Sequence, residues 1–293
     1  MTTTDTLHTP AVSSASARPT VVLGGTGKTG RRLVEHLRAE GVAVRPVGRS
    51  TSLPFDWADR STWDAAISGS RAAYIAYSPD LAVPGSGDDI AELLTRLEGA
   101  GIEHATLLSG RGEPEAQDAE EALQRSSLSW SVVRASWFFQ NFSESYLRDP
   151  ILEGTLYLPA VSAAEPFIDA DDIAAVAAAT LLDNRHAGEV YEVTGPELLT
   201  FDQIAEQLSS ALGRRISYVP ISREEYATAA RAEGVPEPVV WLLDYLFRVV
   251  LDGRNESLAD GVQRALGREP RRFADFARAH AAAGTWTPGG DLT

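Results

Sequence analysis

A short apolar run near the start of the chain leads directly into a glycine-rich turn. Residues 19–23 resemble a strand that is buried on both faces of a parallel sheet. The turn reads Gly24-Gly25-Thr26-Gly27-Lys28-Thr29-Gly30, and apolar side chains at helical spacing follow over residues 29–40. Glycines between a strand and a helix let backbone N–H groups approach a pyrophosphate, because no Cβ blocks them. The sequence therefore predicts a dinucleotide-binding loop.

The spacing of the glycines also bears on two other interpretations of this loop. A P-loop NTPase is suggested by Gly27-Lys28-Thr29, but that motif also needs a glycine five residues before Gly27, where Val22 stands. A tight turn without a ligand leaves three evenly spaced glycines at the end of a strand unexplained. The spacing G-x-x-G-x-x-G also differs from the usual G-x-G-x-x-G. The strand–turn–helix context therefore carries the prediction.

Apolar, strand-like segments alternate with segments of helical periodicity through the first half of the chain. This alternation is typical of an α/β fold with a parallel sheet, because parallel strands need crossover helices. We therefore predict a doubly wound Rossmann sheet. The predicted strands are 19–23, 42–47, a weak one ending at Phe55, 72–77, 105–108 and 130–134, and the predicted helices are 29–40, 61–67, 88–97 and 115–125.

The pattern changes beyond residue 135, where aromatic and alanine-rich segments follow. We expect helices at 171–182 and from a Thr200–Gln203 capping box to 212, strands at 189–193 and 216–219, and mostly helix over 222–282. Three parts are predicted: a disordered tail over 1–17, a Rossmann core that binds NADP over 18–155, and a region over 156–293 that completes the sheet and adds a smaller, mostly helical substrate lobe.

The end of the second predicted strand indicates the type of dinucleotide. An NAD site usually has an acidic residue there, which holds the ribose 2′-hydroxyl. Here the strand ends in Gly48-Arg49-Ser50, without a carboxylate. A guanidinium suits a 2′-phosphate through bidentate, charge-assisted hydrogen bonds. NADP(H) is therefore favoured, the alternative being that Arg49 is an ordinary solvated surface residue.

Further candidate cofactor residues follow other predicted strands, where the carboxyl ends of a parallel sheet form the binding crevice. The segment Asp56-Trp57 is placed at the adenine edge, Ala76-Tyr77 near the ribose and pyrophosphate, and Ser109-Gly110 on the nicotinamide side. The complete predicted set is Gly24, Thr26, Gly27, Lys28, Thr29, Gly30, Arg49, Ser50, Asp56, Trp57, Ala76, Tyr77, Ser109 and Gly110.

Three stretches of the chain resemble the NmrA-like group of atypical short-chain dehydrogenase/reductases. They are G-G-T-G-K-T-G-R-R at 24–32, F-D-W-A-D-R-S-T-W at 55–63 and R-A-S-W-F-F-Q-N-F at 134–142, and the resemblance extends from Thr20 to Trp286. Their details are most similar to the ergot alkaloid branch, which includes festuclavine and agroclavine dehydrogenases, and to bacterial relatives. The resemblance implies that Phe138 and Asn141 lie near the nicotinamide and the substrate. Ala135 stands where the family usually has proline.

Lysine occurs once in the chain, at Lys28 inside the glycine loop. Typical short-chain dehydrogenases use a Tyr-x-x-x-Lys pair to move a proton, and that pair is absent from this sequence. The same count excludes the isoflavone-reductase type, which uses a lysine near that site. Electron-poor acceptors such as an iminium, a quinone or an activated enone need little help from a protein acid. The sequence therefore favours acceptors of that kind, oriented against the cofactor.

Planar acceptors of this kind require an apolar, aromatic pocket. Aromatic residues cluster after the sixth predicted strand and in the C-terminal helical region, although core packing explains any single one of them equally well. The candidate substrate-contacting residues are Trp137, Phe138, Asn141, Phe142, Trp241 and Tyr245. Tyr77, Tyr146 and Tyr245 are weak candidates for a proton donor, and no catalytic residue is assigned.

Composition excludes several other classes of function. A formal net charge of −15 argues against binding to nucleic acid or to an anionic membrane surface. Cysteine is absent, the histidines lack metal spacing, and carboxylates at 169, 171 and 172 suit helix capping better than a metal site. No signal peptide is recognisable. We expect a cytoplasmic monomer or homodimer that acts on a small molecule.

The sequence thus favours an NADPH-dependent reductase of an electron-poor organic acceptor, with a role in secondary metabolism. A non-catalytic NADP(H) sensor of the NmrA type is the alternative, because loss of the Tyr/Lys pair is also expected of a sensor.

Overall fold

The computed structural model describes residues 18–159 and 163–287. The predicted disordered tail at 1–17 lies outside these residues. A parallel six-stranded sheet forms the centre, with the strand order β2-β1-β3-β4-β5-β7. Its strands are β1 (Thr20–Leu23), β2 (Val44–Val47), β3 (Ala72–Ile75), β4 (His104–Gly110), β5 (Ser129–Ala135) and β7 (Glu189–Val193).

Helices cover both faces of this sheet, which confirms the predicted doubly wound α/β architecture. One face packs against α2 (Trp63–Ile67), α3 (Ser86–Gly99) and α4 (Pro114–Arg125). The other face packs against α1 (Lys28–Ala39), α6 (Ala170–Leu182) and α10 (Gly261–Leu266). In α1 the buried Leu33, Val34 and Leu37 form the apolar face that the sequence spacing predicts.

The chain order reverses between β1 and β3, so a crevice opens at the carboxyl ends of these strands. Beside it lies a second apolar core built on the small parallel sheet of β6 (Thr155–Pro159) and β8 (Ser217–Ile221). The helices around this core are α5 (Arg148–Glu153), α7 (Phe201–Leu212), α8 (Arg223–Ala232), α9 (Glu237–Tyr245) and α11 (Phe273–Ala282).

Two segments differ from the secondary structure predicted for them. The predicted strand ending at Phe55 is wrong, because residues 48–59 form a loop with isolated bridges only. Phe55 instead stacks on Trp63 at 5.6 Å between ring centroids and contacts Trp57 edge-on at 5.0 Å. Its aromatic character therefore serves packing rather than strand pairing. Strand β6 was not predicted; it is five residues long and is separated from α5 by Gly154 alone.

Local capping signals read from the sequence are confirmed. Thr200 and Gln203 form a reciprocal capping box at the start of α7, a contact of the kind that stabilises a helix by about 1 kcal/mol. Asp169 caps α6, its carboxylate accepting the N–H of Asp171 at 2.9 Å. In the described residues no helix combines the length and the apolar character that crossing a bilayer would require.

Candidate active site

A single cleft of about 830 Å³ follows the carboxyl ends of β1, β3, β4 and β5. Its volume falls within the range of ligand pockets in proteins, about 300–1,000 Å³. The sheet contributes one wall, with the loops that follow these four strands. The other wall comes from residues 141–146 and from α9 and the π-helical turn (Leu246–Val250) that continues it.

The glycine loop forms a tight backbone cradle at one end of the cleft. Gly24 has a φ of +76°, a conformation that side chains rarely adopt. A Cβ on Gly30 would overlap the carbonyl oxygen of Gly24, and a Cβ on Gly25 would lie 2.7 Å from Cβ of Pro46. The Gly27 N–H donates to the Gly24 carbonyl at 2.9 Å and closes the turn. Two of these glycines are therefore required by close packing of the backbone.

The cradle leads into the N-terminus of α1, a 12-residue helix that begins at Lys28. Gly27 is its N-cap, no side chain caps it, and its first turn contains no acidic residue. Uncapped N–H groups and the positive end of the helix dipole attract an anion. The residues present therefore fit a pyrophosphate, and with it the dinucleotide that the loop predicts.

The structure places twelve of the fourteen predicted cofactor residues along the cleft. The two exceptions have different causes. Gly30 is buried behind the loop, where it makes the close approach described above. Ser50 is exposed and does not line the cleft. The twelve are Gly24, Thr26, Gly27, Lys28, Thr29, Arg49, Asp56, Trp57, Ala76, Tyr77, Ser109 and Gly110.

The two basic residues near the cradle differ in their contacts. Arg49 lines the cleft, is exposed, and makes no hydrogen bond or ion pair with any residue in the described part of the chain. Lys28 is half-buried and its Nζ donates to Oδ1 of Asn141 at 2.9 Å. Burial lowers the pKa of Lys28, while the nearby Glu144 carboxylate acts in the opposite direction. Lys28 thus joins the glycine loop to the segment after β5, whereas Arg49 is free to meet a ligand.

Aromatic rings wall the cleft beyond β3. The rings of Trp57 and Tyr77 lie 4.5 Å apart between centroids, and Nε1 of Trp57 donates to the Ala76 carbonyl at 3.3 Å. The Tyr77 hydroxyl donates to Asp89 at 2.8 Å. This surface can stack against a planar ring such as an adenine.

The three tyrosines considered as proton donors are in different surroundings. The hydroxyl of Tyr245 donates to Glu115, and that of Tyr77 is bonded to Asp89. The Tyr146 hydroxyl is buried and has no hydrogen-bond partner, and its residue lines the cleft. Burial raises the pKa of Tyr146 well above its usual value, so its hydroxyl stays protonated and can donate a hydrogen bond.

One more buried polar atom beside the cleft has no partner. It is Nε1 of Trp137, whose residue is 8% exposed. An unmade hydrogen bond in a buried place costs about 1–3 kcal/mol, so such atoms are uncommon in a protein interior. The side chains of Trp137 and Tyr146 both line this part of the cleft.

Half of the predicted substrate residues line the cleft, namely Trp137, Phe138 and Asn141. Phe142 instead packs in the core of the second lobe, between Phe167 and Phe273. Trp241 is 42% exposed, and Tyr245 stacks on it outside the lining. The helix presents its aliphatic side chains to the cleft, which the aromatic content alone does not reveal; they are Val239, Leu242, Leu243, Leu246 and Val250.

Sequence reasoning missed two acidic residues on the cleft wall, of which Glu113 is buried and Asp80 is half-buried. Asp80 follows β3 and Glu113 is the N-cap of α4, and their carboxyls are in contact. Burial raises the pKa of both groups. Their separation in sequence, 33 residues, gives no local signal that they meet. The Gly110-Arg111-Gly112 turn before Glu113 was the available clue, because a Cβ on Gly110 would overlap the Glu113 carboxyl.

Comparisons with known proteins agree with this geometry. The chain is 30% identical to an NAD(P)H azoreductase from Xenophilus azovorans, over 90% of this chain and 98% of that protein. It is 32% identical to an agroclavine dehydrogenase from Claviceps fusiformis, over 87% and 95% of the two chains. The triphenylmethane reductase of Citrobacter sp., solved with NADP(H), superposes with a TM-score of 0.73 at 19% identity, over 90% and 99%.

The glycine cradle, the aromatic wall and the segment after β5 are the three stretches on which the family resemblance was based, and all three meet at the cleft. The model of the NmrA-like family matches residues 117–276, more than half of the chain. Its relatives include oxidoreductases. The chain belongs to the NmrA-like family.

Proposed function

We propose that this protein is an NADPH-dependent reductase that transfers a hydride to a small, electron-poor organic acceptor such as a quinone, an enone or an iminium. One observation carries the proposal. The cleft is continuous from an uncapped helix N-terminus at the glycine cradle to a pocket lined by Trp137 and Tyr146, whose side-chain donors have no partner. The oxidoreductase activities named for two relatives support it.

The cradle end of the cleft would hold the pyrophosphate. The first N–H groups of α1 supply hydrogen-bond donors and a positive dipole end. Gly25 and Gly30 let the loop close without a Cβ in the way. The Lys28–Asn141 hydrogen bond keeps the cradle and the segment after β5 in fixed relative positions. This half of the cleft positions the cofactor and does not itself move a proton.

Arg49 would select the phosphorylated cofactor. Its guanidinium is exposed at the cleft, and nothing in the described residues engages it. A ribose 2′-phosphate accepts bidentate hydrogen bonds from such a group. No side chain would have to break an existing ion pair first. This supports NADPH rather than NADH as the cofactor.

The other end of the cleft would hold the acceptor. Bound NADPH supplies a hydride, and the protein must place an electrophilic atom within reach of it. The indole N–H of Trp137 and the hydroxyl of Tyr146 can donate to a carbonyl or nitrogen acceptor atom. Such donors withdraw electron density from the acceptor as the hydride arrives. The aliphatic side chains of α9 keep water away from the same space.

The proposal is tested by adding NADPH and a panel of acceptors to the purified full-length chain. The panel contains quinones, enones, azo dyes and N-alkyl iminium ions, and the decrease of NADPH absorbance is followed. We expect turnover with at least one class and a lower KM for NADPH than for NADH. Tight binding of NADPH without turnover of any acceptor would overturn the reductase and favour the sensor.

A further inference from the structure

Asp80, which is half-buried, and Glu113, which is buried, form a carboxyl pair on the wall of the cleft. Glu113 is 7% exposed, and its carboxyl lies against the backbone of Gly110, at the end of β4. The Ala82 N–H donates to Oδ1 of Asp80 at 2.8 Å, which fixes that carboxylate in place. Glu113 has no comparable backbone anchor. The pair therefore consists of one fixed member and one member free to face the cleft.

No basic side chain in the described residues forms an ion pair with Asp80, Glu113 or the neighbouring Glu115. Arg111 is the nearest candidate in sequence, but its Nε donates to Glu192. Its Nη1 donates to the carbonyls of Asn255 at 2.6 Å and Ser257 at 2.8 Å, and its Nη2 to Oγ of Ser257. Two carboxyls in contact, with no cation beside them, resist being ionised together. The ligand-free pair is therefore favoured with one proton.

The proton is held on Glu113. The Ala82 N–H stabilises the ionised form of Asp80, whereas no backbone N–H in the described residues does so for Glu113. Desolvation and the charges of Asp80 and Glu115 raise the pKa of Glu113 well above its usual value. Glu113 is therefore the member of the pair that keeps a proton more readily.

A purely structural role does not explain Glu113. It occupies the N-cap position of α4, yet its side chain caps no backbone N–H. The unpartnered Nε1 of Trp137, in a side chain more than nine-tenths buried, lines the same cleft. That donor independently indicates a ligand with a polar acceptor atom. An acid and an unmatched donor thus face one space.

We propose that Glu113 is the proton donor of the reaction and that Asp80 is its positioning partner, so that the chain replaces the missing tyrosine–lysine pair with a carboxyl pair. This rests on the proposed reductase function. It goes beyond the sequence-based expectation that the acceptor needs little help from a protein acid.

The step balances for a neutral acceptor. The acceptor receives a hydride, which carries two electrons, at its electrophilic atom. A negative charge then develops on the heteroatom conjugated with that atom. The Glu113 O–H bond breaks, and its proton forms the new bond to that heteroatom. Glu113 is left as a carboxylate, which then takes up a proton from water. A cationic acceptor becomes neutral on receiving the hydride and needs no proton.

The surroundings of the pair define its pH dependence. Glu115 on α4 accepts the hydroxyl of Tyr245 on α9 and adds negative charge. Arg254 also approaches this turn, where its Nη1 donates to the Gly112 carbonyl at 3.3 Å, but its guanidinium is paired with Asp252. The start of α4 favours the Glu113 carboxylate once it has formed.

Glu113→Gln is the decisive variant, because its amide N–H can still donate to Asp80 while the transferable proton is gone. We expect kcat/KM for a neutral quinone to fall about 100-fold. With a permanently cationic N-alkyl iminium it should change less than about threefold, because that acceptor needs no protein acid. Glu121→Gln, an exposed position on α4, should behave as wild type with both acceptors.

The pH profile separates a proton donor from a merely structural residue. For the quinone, kcat/KM of the wild type should fall as pH rises through the apparent pKa of the pair, because Glu113 must be protonated. Glu113→Gln should lack this limb and Glu113→Asp should restore it. Burial raises the pKa of Glu165, behind Trp137, to about 7. Glu165→Gln therefore tests whether Glu165 causes the fall of kcat/KM at high pH. We expect this variant to show the same fall as the wild type.

A measurement that needs no turnover distinguishes failure of the Glu113 proposal from failure of the reductase proposal. Infrared difference titration of the ligand-free protein should show a protonated carboxyl band at neutral pH that is absent in Glu113→Gln and kept in Glu121→Gln. Absence of that band in the wild type overturns the inference even if the protein is a reductase. Equal loss with quinone and iminium also overturns it, as does an unchanged quinone rate in Glu113→Gln. If the band is present but nothing is turned over, the reductase proposal fails and the role of Glu113 as donor fails with it.

Discussion

The two ends of the cleft satisfy their polar groups in different ways. At the cradle, the close packing of glycines leaves the backbone N–H groups at the start of α1 without a side-chain cap. Arg49 is exposed at the rim of the cleft. At the acceptor end, the polar atoms of Trp137 and Tyr146 are buried without partners, beside a carboxyl pair with no cation. One end can bind a charged group at little cost. The other carries unmet hydrogen bonds that lower the stability of the free protein.

This difference separates recognition from chemistry. Backbone groups and a solvated guanidinium fit any molecule with a pyrophosphate and a 2′-phosphate, so the cradle need not change between relatives with different acceptors. Unsatisfied buried groups are tolerated where binding or catalysis uses them. We therefore expect changes at the cradle to act on cofactor affinity, and changes at the other end to act on the acceptor and on stability.

The largest effect is expected at the cradle, from Gly30→Ala. The new Cβ would overlap the Gly24 carbonyl, so the loop must open where the pyrophosphate would bind. We expect the dissociation constant for NADPH to rise at least about 10- to 100-fold and stability to fall by about 1–3 kcal/mol. Fluorescence titration and thermal unfolding measure both. The control is Gly99→Ala, in α3, where the space around the new Cβ is open. Equal NADPH affinity and stability in the two variants would contradict the role given to the cradle in binding the cofactor.

The cradle was predictable from sequence because everything that forms it is local. Three glycines, a buried strand before them and an amphipathic helix after them lie within about 20 residues, and each element follows from its own periodicity. The six-stranded sheet was predictable for the same reason. The error at Phe55 arose because aromatic residues suit a strand and a packed loop equally well.

The acceptor end was much less predictable, because it is assembled from distant segments. Asp80 and Glu113 come from different loops, and no spacing indicates that they are in contact. The aromatic content of 137–146 was noticed, yet it does not distinguish Trp137 at the cleft from Phe142 in the lobe core. That distinction depends on how α11 and β6 pack, which is tertiary information. The tyrosines were likewise equivalent until their partners were known.

At the rim, Arg49→Ala is expected to affect cofactor use to a similar extent but without the loss of stability, so that its total effect is smaller. Losing a charge-assisted contact costs about 1.5–3 kcal/mol, which corresponds to a fall in kcat/KM for NADPH of about 10- to 100-fold. The value for NADH should change less than about threefold, since it has no 2′-phosphate, and added salt should reduce the difference in wild type. Arg38→Ala, an exposed arginine on α1, is the matched control. An equal loss for both cofactors would show that Arg49 does not recognise the phosphate.

The smallest effect is expected from Tyr146→Phe, at the acceptor end of the cleft. It is informative because stability should rise while binding of the acceptor weakens. Removing a buried hydroxyl that has no partner should raise the free energy of unfolding of the ligand-free protein by about 1 kcal/mol. The same change should raise KM for the acceptor about three- to tenfold, because a donor is lost. Tyr245→Phe has the opposite effect on stability, since it deprives Glu115 of its donor. Thermal unfolding and steady-state kinetics of the two variants decide the matter: if Tyr146→Phe destabilises the protein or leaves KM unchanged, its hydroxyl is not reserved for a ligand.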